Sequence, residues 1–178
     1  MVSFTLTTSE RDSSLEAGYE CGMKTLILGI GNTVLSDDGV GCRVVQRLKK
    51  RLQGMSEITV KETAVSGLSL LDELTGYERL IIVDAIKTKS GKPGVVYKLS
   101  PSDFKTGRMA IIHDLGLVST LELGRKLEMD MPGEVIIFAI EAKDMATFSE
   151  KLSPEVEKAI PQAVEMVLKE VSGGARRL

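Results

Sequence analysis

The run Leu80-Ile81-Ile82-Val83-Asp84-Ala85-Ile86 constrains the fold of this chain more than any other segment. It is apolar at consecutive positions, so both faces of a strand here would need cover, as in the centre of a parallel sheet with helices on each side. The run is strand-sized and far short of the ~20 apolar residues that cross a bilayer. It also ends on an aspartate. A carboxylate at the end of the most buried strand is costly unless something holds it or uses it.

The surrounding pattern alternates in the way such a sheet requires. Leu26–Leu28 reads as a first buried strand, closed by Gly29-Ile30-Gly31-Asn32. A helix follows, with Val40, Val44, Val45, Leu48 and Leu52 on one face and Gly54 as its stop. Ile58–Glu62 reads as a strand, Leu68–Leu74 as a short helix, and Gly94–Leu99 as a further strand. Leu115–Leu127 is helical in pattern and Glu134–Ile140 is a strand. The last helix starts with Ser153 as N-cap and Pro154 at the first helical position, and Pro161 is expected to kink it. These elements specify an α/β fold, a twisted, mostly parallel sheet of about five strands with helices on both faces. Residues 1–22 are polar and aperiodic and are expected to be a flexible N-terminal extension. Residues 23–172 then form a single domain, and 173–178 a frayed tail.

Composition removes several classes of function. The chain has 178 residues, 43% of them hydrophobic, with 23 Lys+Arg against 25 Asp+Glu. A formal charge of −2 without a basic stripe argues against a nucleic-acid partner. Two cysteines, Cys21 and Cys42, make no disulfide framework and no CxxC zinc motif. The first 22 residues lack the apolar core of a signal peptide. A cytoplasmic protein without membrane association is the expectation.

In an open α/β sheet, ligands bind beyond the carboxyl ends of the strands. Three polar residues fall there: Asp38 after the first strand, Asp84 at the end of the third, and His113 before the helix near Leu115. The opening Gly29-Ile30-Gly31 suggests a dinucleotide fingerprint, but Val34 stands where its third glycine belongs. Asp37 and Asp38 would also repel a pyrophosphate. Asp37 reads as N-cap of the helix beginning near Val40. Gly39-Val40-Gly41 would permit close approach of another chain or a ligand. Each candidate has a plainer reading: Asp38 as a second cap, Asp84 as a hydrogen-bonded structural carboxylate, His113 as a satisfied, half-buried imidazole. His113 is the single histidine and no GxSxG elbow is present, which weakens a serine triad. Together the three suit a site of two carboxylates and one imidazole for a divalent metal, with coordination positions left open.

The segments LILGIGNTVLSDDGVG (26–41), LIIVDAI (80–86), HDLGL (113–117) and LSPEVEKAIPQAVEMVL (152–168), in that order, resemble the hydrogenase maturation endopeptidases. The resemblance covers about residues 24–170. It implies an enzyme that trims the C-terminal extension from the large-subunit precursor of a [NiFe] hydrogenase after nickel insertion. It places the metal-binding residues on Asp38, Asp84 and His113, with Asp38 and Asp84 as the aspartyl-type catalytic pair. The cofactor implied is nickel supplied by the precursor, which serves as the recognition element, and another divalent ion can stand in for it in the isolated protein. The partner implied is that precursor, and a monomer is expected. The family often carries an aspartate and a glycine-rich turn after the second strand. Here Glu62-Thr63-Ala64-Val65-Ser66-Gly67 keeps only a carboxylate and the last glycine, so a secondary acidic role for Glu62 is in doubt. The alternative is a nickel-binding accessory protein of hydrogenase assembly without protease activity, although such carriers often have His-rich tracts.

Overall fold

The computed structural model describes residues 23–65, 67–105 and 116–174. Strands β1 (Thr25–Ile30), β2 (Ile58–Thr63), β3 (Arg79–Ile86), β4 (Val96–Leu99) and β5 (Glu134–Glu141) form one sheet in the order β2-β1-β3-β5-β4. Pairing is parallel from β2 through β5, and β4 adds an antiparallel edge. The helices are α1 (Val40–Arg51), α2 (Leu71–Leu74), α3 (Pro101–Lys105), α4 (Gly116–Lys126) and α5 (Pro154–Gly174). The expected α/β fold is therefore the observed one. Sequence reading missed α3, whose five residues are too few to display a helical period.

Alternation along each strand divides the apolar residues between two cores. Ile27, Ile81, Val83, Ile136 and Phe138 face the side covered by α1 and α5, where Val44, Leu48, Ala163 and Val167 meet them. Leu26, Leu28, Leu80, Ile82 and Ile137 face the other side, against Leu70, Leu74, Leu117 and Leu121 of the α2 and α4 layer. Both faces of β3 are thus covered, as its unbroken apolar run demanded. Helix α5 is continuous through Pro161, which stands on its exposed side, so the proline does not end it. The helix runs to Gly174, two residues into the stretch expected to fray.

One buried charge anchors the far end of the sheet. Arg79, 1% exposed, opens β3 with its guanidinium between two carboxylates. Its Nη2 lies 2.8 Å from Glu170 Oε1 and its Nε 3.0 Å from Glu134 Oε2, while Nη1 donates to the Glu170 carbonyl at 3.2 Å. Lys98 also pairs with Glu170. The cluster ties the start of β3 to β5 and to the end of α5. Arg79→Ala leaves Glu134 without its guanidinium and Glu170 with Lys98 alone, although both carboxylates retain some access to water. We expect a loss of about 3 kcal/mol, the lower end for a broken buried pair, and a thermal midpoint lower by about 6–12 °C. Differential scanning calorimetry of the two proteins measures it.

Candidate active site

The chain order turns at β1. From it, β2 lies on one side and β3 on the other, so the crevice at the carboxyl ends opens between β1 and β3. Asp38 follows β1, in a 3-10 turn over Ser36–Gly39. Asp84 lies in β3, one residue beyond Val83, which pairs with Gly29 of β1. The two candidates thus flank the switch point of the sheet, and both are partly exposed.

Glycine packing seats the start of α1 on these strand ends. A Cβ on Gly41 would lie 2.3 Å from the Val83 carbonyl oxygen and 2.4 Å from that of Ile30. The first turn of α1 therefore rests directly on the ends of β1 and β3, which no residue larger than glycine allows. Gly31, at φ 141°, is the matching position in the loop, where a Cβ would meet the Asp38 carbonyl oxygen at 1.9 Å. The Gly39-Val40-Gly41 step thus serves the approach of the chain's own strands, where sequence reading had left room for another chain or a ligand.

Asp37 and Asp38 have separate tasks. Asp38 Oδ2 accepts the Asn32 N–H at 2.7 Å, fixing the loop that leaves β1. Asp37 does not cap α1: Gly39 is the cap residue and no side-chain bond closes that end. Asp37 is fully buried instead. Its Oδ2 accepts the N–H groups of Lys143 and Asp144, each at 2.9 Å, and its Oδ1 accepts the N–H of Ser153 at 2.6 Å. One carboxylate so joins the turn bearing Asp38 to the exit of β5 and the start of α5. The signal was not local, because every partner lies more than 100 residues away.

Asp84 Oδ1 accepts the N–H of Ala85 at 2.7 Å. His113 lies outside the described residues. Among the described residues, no three His, Cys, Asp or Glu side chains converge as a metal site. Glu62, at the exposed end of β2, accepts a hydrogen bond from Gln46 Nε2 of α1 at 2.8 Å.

Cys42 lies beneath these carboxylates and was not marked by sequence reading as part of the site. It is 3% exposed, and its Sγ lies 3.4 Å from the Gly31 carbonyl oxygen, toward which the thiol donates. Burial, then the negative charges of Glu62, Asp84 and Asp38, push the thiol up to about 11, and Arg43 offsets them in part. A thiol pKa raised above its ordinary 9.0 means the folded state holds the proton more tightly. Its contribution to stability is complete below pH 9 and declines as pH rises toward 11. Cys42 is therefore no thiolate nucleophile near neutral pH. Iodoacetamide at pH 8 should leave it unmodified in the native protein and alkylate it in urea, as read by peptide mass.

The comparisons with known proteins give the family. The family model for hydrogenase maturation protease (HycI) matches residues 42–170, a span that contains Asp84 and position 113 and begins just after Asp38. The chain belongs to the hydrogenase maturation protease family. It is 29% identical over 149 residues to the hydrogenase 2 maturation protease of Escherichia coli, covering 82% of this chain and 89% of that one. The hydrogenase maturating endopeptidase HybD of E. coli superposes with a TM-score of 0.71 at 26% identity, over 84% of this chain and 92% of that one. The [NiFe] hydrogenase maturation protease HybD of Thermococcus kodakarensis does so at 0.66 and 27% identity, over 84% and 99%. This maturation protease is thus an enzyme that cuts peptide bonds on a twisted α/β sheet. No helix among its described residues is long and apolar enough to cross a membrane.

Proposed function

We propose that this maturation protease removes the C-terminal extension of a [NiFe] hydrogenase large-subunit precursor after nickel insertion, using the precursor's nickel as the recognition element. The observation that carries this is the placement of Asp38 and Asp84 on either side of the β1/β3 switch point, where α1 presses against both strand ends. Two carboxylates at one crevice supply hard oxygen donors, and His113 is assigned as the nitrogen donor that completes the set. The positions left open suit an ion that arrives already held by another protein.

In this reading, Asp38 and Asp84 orient the junction against the precursor's nickel, so that the scissile peptide is held rather than captured from solution. Asp38 is the general base for the attacking water, on a loop that its own bond to Asn32 keeps in place. The nickel supplies positive charge near the peptide, as cargo of the substrate. A monomer acting in the cytoplasm, without nucleic acid or membrane, completes the proposal.

The test is tail removal from nickel-loaded precursor, followed by mass. The wild-type chain should release the extension. His113→Ala should lower the rate by at least about a hundredfold, with an unchanged thermal midpoint. Near wild-type processing by that variant would remove His113 from the site, and binding without mass loss by the wild type would favour an accessory protein.

A further inference from the structure

Among the described residues, six large apolar side chains stand exposed: Val34, Val65, Leu68, Val95, Leu127 and Phe148. Isolated exposed apolar residues are ordinary, but a cluster at one place marks a contact surface. Five of these six lie at the end of the sheet where the parallel strands finish, the end that carries Asp38 and Asp84, and of these Val34 and Phe148 are set side by side. Val34 leaves β1, Val65 and Leu68 leave β2, and Phe148 follows β5. Val95 leads into β4 beside the end of β5, where its carbonyl accepts the Glu141 N–H. Leu127 alone lies at the opposite end, after α4.

Phe148, 85% exposed, is the most prominent, and its loop is rigidly held. Leu35 and Ser149 form a parallel bridge, with Ser149 N–H donating to the Val34 carbonyl and Ser36 N–H to the Ser149 carbonyl. That register sets Val34 beside Phe148, next to the turn of Asp38. The charges at the start of this loop are engaged. Asp144 accepts the N–H groups of Ala146 and Thr147, Lys143 pairs with Glu155, and Asp37 holds the loop from below. The charges at the start of the loop are thus engaged, and the backbone that carries the Phe148 ring is held in place by the bridge to Leu35.

We infer that the Val34–Phe148 shelf docks an extended segment of the substrate polypeptide that presents a large apolar side chain within a few residues of the scissile peptide. This rests on the function proposed above: a peptide bond held at Asp38 must have its flanking chain pass over the adjoining rim. Continuity with the crevice favours that occupant over a second copy. Aromatic side chains are enriched in protein contacts, and one on a preorganised loop contributes area at small entropic cost.

The test compares Phe148→Ser, Val34→Ser and Leu127→Ser in the full chain, using nickel-loaded large-subunit precursor as the probe. Because all three positions are exposed, their thermal midpoints should match the wild type. Two quantities are read: binding of precursor to each variant before turnover, by rapid mixing, and the kinetics of cleavage. Phe148→Ser should weaken binding and raise KM by about tenfold or more with kcat within about twofold, Val34→Ser less, and Leu127→Ser not at all. Unchanged binding and KM for Phe148→Ser, a fall in kcat alone, or an equal loss for Leu127→Ser would overturn the inference. So would a wild-type dimer that Phe148→Ser converts to a monomer. If the wild type binds precursor through Phe148 yet never cuts it, the docking surface stands and the proposed cleavage fails.

Discussion

Asp38→Asn should leave the protein folded and stop tail removal, whereas Asp37→Asn should unfold it early. The two residues are adjacent in the same 3-10 turn, so the contrast separates chemistry from structure within one loop. Asparagine at 38 keeps an oxygen to accept the Asn32 N–H, and thermal stability should stay within about 0.5 kcal/mol of wild type, as for other partly exposed changes. What it loses is the negative charge that a general base and a metal donor both require. A fall in kcat/KM of about 10²–10⁴ is expected. At 37, both oxygens accept backbone N–H groups in a site closed to water. An amide there must turn its NH₂ toward either the Ser153 N–H or those of Lys143 and Asp144, leaving buried donors opposed. A cost of about 2–4 kcal/mol follows from losing charge-assisted bonds and stranding a donor, or roughly 4–16 °C in midpoint. Calorimetry and precursor mass, run on both variants, read the two axes separately. A stable but inactive Asp37→Asn, or an unstable Asp38→Asn, would exchange their roles.

Much of this fold was legible because its strongest elements obey one period each. β3 showed its doubly covered position in an unbroken apolar run, and α1 and α5 showed their buried stripes. The boundaries shifted by a residue or two, where strands continue into pairing that composition does not mark. β1, for instance, begins at Thr25, which is buried and paired with Ile58. Arg79 escaped notice because an arginine before an apolar run reads as a boundary, and only tertiary packing supplies its carboxylate partners. Asp37 was assigned to the nearest helix end, since capping rules are local while its real partners come from β5 and α5.

The candidate site was legible in part for the same reason. A sheet of this class binds ligands at the carboxyl ends of its strands, so the positions of Asp38 and Asp84 beside the β1/β3 switch point could be read from the pattern, whereas their roles rest on the proposal. Cys42 could not, because its buried thiol gains meaning only from three carboxylates on three different elements. Phe148 could not either: one aromatic residue in a polar loop has no period, and its prominence depends on how the loop is tied down. The glycines of the first loop were noticed for the wrong partner, since the backbone they admit is the protein's own.

In the function proposed here, nickel on the precursor, and no ion resident in the protease, licenses cleavage. Two carboxylates and one imidazole make an incomplete set for a divalent ion, so affinity in the free enzyme should be weak. The precursor's own ligands would fill the remaining positions, which makes the metal a property of the complex. Removing nickel from the substrate should therefore abolish processing, while chelating the enzyme beforehand and then removing the chelator should change little. The measurement is release of the C-terminal extension, by intact mass, from nickel-loaded and nickel-free precursor, each mixed with chelator-treated enzyme. Complete processing of the loaded precursor and none of the nickel-free form, even at excess enzyme, is the expected result. Equal cleavage of both would contradict it, and would leave Asp38 and Asp84 acting on water as a conventional peptidase pair.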